Sequence, residues 1–168
     1  YHDFFSRRIA RGQTVLDIGC GCGAVALDIA RATGARVIGI DKDAGSITQA
    51  RALCQGEDME FICADALTAE LPPADVVVLS NVLEHIDERE TFLRALRVRI
   101  RPKLLLVRVP QFERHWQVPY AQELGLDTWL DPTHRIEHRQ EEILAELAAA
   151  GWEVCFIEAR WGEYRIEA

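Results

Sequence analysis

Short apolar runs punctuate this chain, and between them apolar side chains recur every three or four residues. The runs are Thr14–Ile18, 36–40, Met59–Cys63, 75–80 and 104–109. Each has the length of a strand, and the unbroken Asp-Val-Val-Val-Leu-Ser of 75–80 suits a strand buried on both faces. Helical spacing fills the gaps. Ala24–Thr33 places Leu27, Ala30 and Arg31 at that period, and Asp43 is set to cap a helix striped with Ile47, Ala50, Leu53 and Cys54. Strands that alternate with helices predict a parallel sheet covered on both faces.

The ends of the chain complete the pattern. Residues 1–11 read as a helix with Phe4, Phe5 and Ile9 as its apolar members. Asp87 with Glu90 three residues later is the pattern of a capping box, opening a helix through Phe92, Leu93 and Leu96. Residues 111–136 are polar, aromatic and irregular, with Pro119 and Pro132 as breakers. A helix over 137–150 ends at Gly151, and 152–157 with 162–167 form a closing hairpin. There is no repeat, low-complexity tract or linker, so residues 1–168 are expected to form one domain with an insertion at about 111–136.

Composition narrows the class. The 168 residues carry a net charge of -8, which argues against electrostatic binding of nucleic-acid phosphate. No apolar run approaches the ~20 residues that span a bilayer. The chain starts at Tyr1 and its single methionine is Met59, which points to a trimmed N-terminus. Five cysteines without scaffold spacing fit reduced thiols and a cytoplasmic location.

The segment from Val15 to Gly23 carries the most chemistry. An apolar strand holds Asp17 and runs into a turn with glycine at 19, 21 and 23, and helix formers follow. Glycine lets a backbone approach a ligand closely, and the next helix aims its first amides at that ligand. Gly19, Gly21 and Ala24 also satisfy the dinucleotide pattern G-x-G-x-x-A. Asp41 closes the next apolar run, 24 residues beyond Asp17, where a carboxylate can accept both hydroxyls of a ribose in either kind of nucleoside site. Ligands of such sheets bind outside the carboxyl ends of the strands, and Asp17, Asp41, Lys42, Asp65, Asn81, Glu84 and His85 all fall there.

Two later segments separate the alternatives. Phe61-Ile-Cys-Ala-Asp65-Ala66 places an acid after the third strand, which a dinucleotide fold does not require. Ala74-Asp75-Val-Val-Val-Leu-Ser-Asn81-Val-Leu-Glu84-His85 follows in order. With the glycine turn, these resemble the motifs of class I S-adenosylmethionine-dependent methyltransferases, closest to the group that includes ubiquinone-biosynthesis O-methyltransferases. The resemblance implies an α/β, Rossmann-like fold: a seven-stranded, mostly parallel sheet, helices on both faces, and a C-terminal antiparallel hairpin. It also implies S-adenosylmethionine as methyl donor and S-adenosylhomocysteine as product. Gly19 and Gly21 would pass beneath the methionine portion, Cys20 between them would count among the cofactor-binding residues, and Asp17 would hold the ammonium, directly or through water. Asp41 would bind the ribose, Lys42 would flank the adenine, Asp65 and Ala66 would bind it, and Asn81 would lie near the sulfonium. Cysteine at 20 and 22 departs from the family pattern, and no second pair completes a metal site there.

The acceptor side would hold the catalytic candidates Glu84, His85 and His134, with His138 an alternative to His134. Histidine is a natural general base near neutral pH. In some relatives a Glu-x-x-Glu-His segment binds a divalent metal; here Asn81 stands at its first position, so no metal is expected and a divalent ion is the alternative. Phe112, Trp116, Tyr120 and Trp129 are candidates for a binding loop. Arg94, Arg97, Arg99, Arg101 and Lys103 cluster at a helix C-terminus, where cations complement the dipole. The expected reaction is methylation of a small-molecule acceptor, most simply at oxygen. The rival readings are a nicotinamide-dependent oxidoreductase and a non-catalytic S-adenosylmethionine-binding module.

Overall fold

The computed structural model describes residues 2–126, 129 and 131–168. Its centre is a sheet of β1 (Thr14–Ile18), β2 (Arg36–Asp41), β3 (Met59–Cys63), β4 (Val76–Ser80), β5 (Leu104–Pro110), β6 (Phe156–Arg160) and β7 (Glu163–Glu167). The strand order is β3-β2-β1-β4-β5-β7-β6. The first five strands pair in parallel, and β7 is antiparallel to both β5 and β6. The order turns back between β1 and β4, which opens a crevice at their carboxyl ends.

Alternation along the strands divides the core in two. Leu16, Ile18, Val77 and Leu79 face the cluster shared with α4 (Arg89–Arg99) and α6 (Gln140–Ala149). Val15, Val76 and Val78 face the other, with α1 (Asp3–Ser6), α2 (Ala24–Thr33) and α3 (Ala44–Leu53). By the same parity Asp17 lies on the α2 side of β1. Gly39 of β2 sits at a tight crossing: a Cβ there would come within 2.7 Å of the Phe61 ring and 2.8 Å of Cys20 Sγ.

Several boundaries differ from the sequence pattern, each for a local reason. The N-terminal helix is one turn, Asp3–Ser6, and Tyr1 lies outside the described residues. Arg8 leaves the helical path to bond Glu167 at 2.8 Å and to stack over Phe4 and Phe156 at 4.2 and 4.4 Å. Asp43 caps α3 as expected, accepting from the Ser46 amide at 2.6 Å. Asp87 and Glu90 form no capping box. Helix α4 begins at Arg89, which donates to the Ile86 carbonyl and to Glu146, while Asp87 faces Arg135 at 3.4 Å.

The segment 111–136 is less irregular than its composition suggests. It holds a 3-10 turn at Phe112–Arg114 and helix α5 (Gln117–Glu123). Pro119 is in the first turn of α5, where a missing N–H costs nothing. Helix α6 starts at Gln140 because His138 is taken by the sheet: its amide donates to the Pro110 carbonyl at 3.2 Å and its carbonyl accepts from Phe112 at 2.9 Å. Glu142 then caps α6 by accepting from the Arg139 amide at 2.7 Å. Residues 152–155 stay out of the hairpin. Trp152 is buried, and its indole donates to the Leu93 carbonyl at 3.1 Å. The hairpin turns through Trp161 and Gly162, both left-handed at φ 56° and 77°, as a two-residue turn with the twist of its strands requires. Among the described residues, no helix is long and apolar enough to cross a membrane.

Candidate cofactor and acceptor site

The glycine turn after β1 bends over the end of β2. The amides of Gly19 and Cys20 both donate to the Ile40 carbonyl, at 2.7 and 3.1 Å. Gly19 adopts φ +69°, and a Cβ there would strike Val82 at 2.7 Å, so the loop can lie flat against the residues after β4 only with glycine. Beside it a cavity of about 960 Å³ opens at the carboxyl edge of the sheet. One wall is Gly19, Asp41, Lys42, Asp65 and Ala66; the other is Asn81, Val82, His85, Thr133 and Arg135.

The carboxylates of the first wall are aimed by backbone amides. Asp41 accepts from Gly21 at 2.9 Å on one oxygen and from Asp43 at 2.8 Å on the other. Each oxygen keeps a second lone pair, enough for a pair of ribose hydroxyls. Asp65 accepts from the Leu67 amide through Oδ1 at 2.9 Å, and its Oδ2 has no partner among the described residues. That free oxygen is what recognition of an exocyclic amine needs.

Asp17 and Cys20 are the buried members of the expected cofactor set. Neither lines the cavity. Asp17 is 1% exposed, and neither of its oxygens reaches a donor. Burial raises its pKa to about 7, against the opposing charge of Arg108, and the nearby Asp41 adds to the rise. Such a carboxylate lacks a hydrogen-bond donor, and the ammonium of a methionine moiety would supply one. Cys20 is a packing residue beneath the turn. Its thiol is pushed upward by burial and then by Asp17 and Asp41, the reverse of a reactive thiolate.

Arg108 is the residue that the motif reading missed. It is buried, and it donates to Asn81 Oδ1 at 3.0 Å and to Ser80 Oγ at 2.8 Å. Asn81 is left-handed at φ 58°, a conformation asparagine tolerates, and its side-chain oxygen is thereby committed to Arg108. A charged residue inside the apolar run Leu-Leu-Leu-Val-Arg-Val was the available signal.

Three titratable groups gather at the second wall, His85 lining the cavity and Glu84 and His134 buried next to it. Glu84 and His85 lie on the 3-10 turn Leu83–His85 that follows β4. His134 arrives from the segment before α6, tied down where the Arg135 amide donates to the Glu84 carbonyl at 2.7 Å. One ligand atom from each of Glu84, His85 and His134 lies within 4.8 Å of the others. Glu84 is wholly buried and neither oxygen completes a hydrogen bond. Burial lifts its pKa to about 7, while its own backbone amide, the Asn81 amide and then Arg114 restrain the rise from nearby. Burial lowers that of His134, which the Glu137 carboxylate partly offsets. His138 does not join them. It is enclosed in the core, with Nε2 3.2 Å from Glu146. A carboxylate with two imidazoles is also a donor set that suits a divalent cation.

Phe112, Trp116 and Tyr120 are not among the described residues that line the cavity. Phe112 is buried beneath Arg139 at 3.8 Å, whereas Trp116 and Tyr120 are 67% and 53% exposed and off the cavity wall. Pro132, Thr133 and Arg135 take that place. The basic cluster is occupied locally: Arg94 donates to the Ala149 carbonyl and Lys103 pairs with Asp75 at 2.9 Å.

A parallel sheet that reverses between β1 and β4, closed by an antiparallel hairpin and carrying this nucleoside-shaped wall, is the fold of class I S-adenosylmethionine-dependent methyltransferases. Residues 15–103 match the family described as a methyltransferase domain, and the chain belongs to that family. A ubiquinone biosynthesis O-methyltransferase of Rhizobium etli is 32% identical over 160 residues, covering 89% of this chain and 63% of that protein. A methyltransferase structure from Methanosarcina mazei superposes with TM-score 0.80 at 18% identity, covering 96% of this chain and 93% of that one. The magnesium protoporphyrin IX methyltransferase of Synechocystis, solved with S-adenosylhomocysteine, superposes with TM-score 0.72 at 20% identity, covering 94% and 74%. The chain spans less than two thirds of the length of the curated relatives it matches.

Proposed function

We propose that this chain transfers the methyl group of S-adenosylmethionine to a hydroxyl of a small-molecule acceptor, using Asp41 and Asp65 to hold the nucleoside and the Glu84–His85–His134 corner to receive the acceptor. The observation that carries the reading is the meeting of these three side chains across from the nucleoside carboxylates, with His85 lining the cavity and Glu84 and His134 buried behind it. An oxygen acceptor must lose its proton as it gains carbon. The acceptor oxygen attacks the methyl carbon, the carbon–sulfur bond breaks in line, and the sulfur keeps the electron pair as a neutral thioether. The acceptor proton passes to an imidazole, for which His85 on the cavity wall is placed. The sulfonium supplies the chemical drive, and the protein contributes alignment and exclusion of water.

The test is a competition. Calorimetry should show S-adenosylhomocysteine binding and no comparable binding of NAD. Labelled donor should then label phenols and diols in preference to amines. Preferred labelling of amines would move the reaction to nitrogen. Binding without transfer to any acceptor would favour a non-catalytic S-adenosylmethionine-binding module.

One observation favours a second reading of the same corner. Glu84, His85 and His134 fit a divalent cation, which when bound would act as a Lewis acid on the acceptor oxygen. In that case Glu84 is the ionised ligand that the cation neutralises, and His85 and His134 bind through imidazole nitrogen. Loss of transfer with chelator, and its return with divalent ion, would establish this reading over the metal-free one.

A further inference from the structure

Two side chains behind the acceptor corner decide which face each imidazole presents. His134 Nδ1 lies 3.1 Å from Glu137 Oε1. The same oxygen is 2.8 Å from Arg114 Nη2, and Oε2 is 3.3 Å from Arg114 Nε. A carboxylate already holding a guanidinium has only lone pairs to offer, so the proton between the two belongs to His134 Nδ1. His85 is set in the same sense by other means. The Thr133 hydroxyl donates to Asp131 at 2.7 Å, which makes its oxygen the acceptor toward His85 Nδ1, 3.0 Å away. The Thr133 carbonyl, 3.4 Å from that nitrogen, can only accept as well.

Both rings therefore carry their proton on Nδ1. Neither Nε2 has a partner among the described residues, and the rings meet edge to face with centroids 4.9 Å apart. Glu137 is wholly buried, so its contact with His134 is shielded from water and salt. Arg114 belongs to the 3-10 turn at Phe112–Arg114, which gives that turn a task beside the cavity without lining it.

The geometry points to Glu137 and Thr133 as positioning residues that lock His134 and His85 in the Nδ1–H form, leaving both Nε2 lone pairs for the acceptor corner beside Glu84. The purpose of this arrangement rests on the acceptor reading above, but its signature does not. An acid behind a histidine that fixes the tautomer is an established way to prepare a base or a ligand, and replacing such a partner typically lowers activity by about 10–100-fold.

Nitrogen-15 spectra of the imidazoles test it in the whole chain, at a pH above the ordinary histidine range. In the wild type both rings should show a protonated Nδ1 and an unprotonated Nε2. Glu137→Ala should move the proton of His134 to Nε2, the form free imidazole prefers, and leave His85 unchanged. Thr133→Val removes the nearer acceptor and should raise the share of His85 with its proton on Nε2, the Thr133 carbonyl keeping the remainder on Nδ1, and should leave His134 unchanged. Calorimetric affinity for S-adenosylhomocysteine should stay within about twofold in Glu137→Ala, because Glu137 is buried and does not line the cavity. A wild-type proton on Nε2 of either ring would overturn the inference whether or not the variants fold. So would a variant with a lowered melting temperature and unchanged tautomers. Failure of the wild type to bind S-adenosylhomocysteine would instead strike the cofactor reading, with the tautomer result still legible.

Discussion

Replacing Asp17 with asparagine should pull stability and cofactor affinity in opposite directions. Its buried carboxyl has its pKa raised from 3.8 to about 7, chiefly by desolvation. A raised carboxyl is protonated in the folded chain and ionised in the unfolded one between those values. The folded state then binds more protons, so stability falls as pH rises through that window and levels off above about pH 7. At 1.36 kcal/mol per unit, the charge costs the empty protein on the order of 4 kcal/mol above neutrality. Asp17→Asn removes that cost and should stabilise the ligand-free protein most at alkaline pH and least below pH 4. Glu84, also raised to about 7, imposes a slope of its own in the same window, so the difference between wild type and variant is the quantity to read. The ammonium of S-adenosylhomocysteine should offset the same cost in the wild type. Its binding should tighten toward tenfold per pH unit as pH rises to about 7, with about one proton released per ligand on the acid side. In the variant the pH dependence from Asp17 should vanish and affinity above neutrality should fall by roughly 1.5–3 kcal/mol, the worth of a charged hydrogen bond. Chemical denaturation across pH, with calorimetry in two buffers of different ionisation heat, measures both halves. A variant that is less stable at alkaline pH and binds the ligand as tightly as wild type would refute the reasoning.

Three further outcomes follow from the same geometry. Asp65→Ala should weaken S-adenosylhomocysteine binding far more than binding of an analogue without the exocyclic amine, and equal losses by calorimetry would remove Asp65 from adenine recognition. Gly39→Ala, whose new methyl would press on Phe61 and Cys20, should destabilise by about 1–3 kcal/mol, a fall of roughly 2–12 °C in melting temperature; an unchanged melting curve would show that the crossing has slack. His85→Ala should lower turnover by about 10²–10⁴-fold if the ring is the base, with S-adenosylhomocysteine affinity intact. Near-normal turnover in a folded variant would assign His85 a structural part only.

The residues proposed to hold the nucleoside were legible from the sequence because each part of their wall is local. A strand, its terminal acid and a glycine turn are contiguous in the chain, and strand ends share one edge of a parallel sheet. Asp41 and Asp65 needed no knowledge of distant residues. The acceptor corner did need it. His134 is named by the pattern, yet its meeting with Glu84 depends on contacts across a long sequence gap, from Arg135 to Glu84 and Asp87 and from Thr133 to His85. Glu137 was hidden because the helical period of 137–150 runs through it; the bridge of His138 to the end of β5 holds it outside the helix. Asp17 was named by motif, but its burial off the cavity wall was not legible, since spacing cannot say which face of the strand is covered. The short first helix and the missing Asp87 cap have one cause: arginine side chains, Arg8 and Arg89, found tertiary partners that outweighed local preference.

The central claim is that the carboxylate closing β2 grips the ribose of a methyl donor, and calorimetry of S-adenosylhomocysteine on Asp41→Ala beside the wild type tests it most directly. The account predicts a loss of roughly 1.5–3 kcal/mol, about 10- to 150-fold in affinity, in a variant that keeps its fold. Unchanged affinity in that folded variant would contradict it.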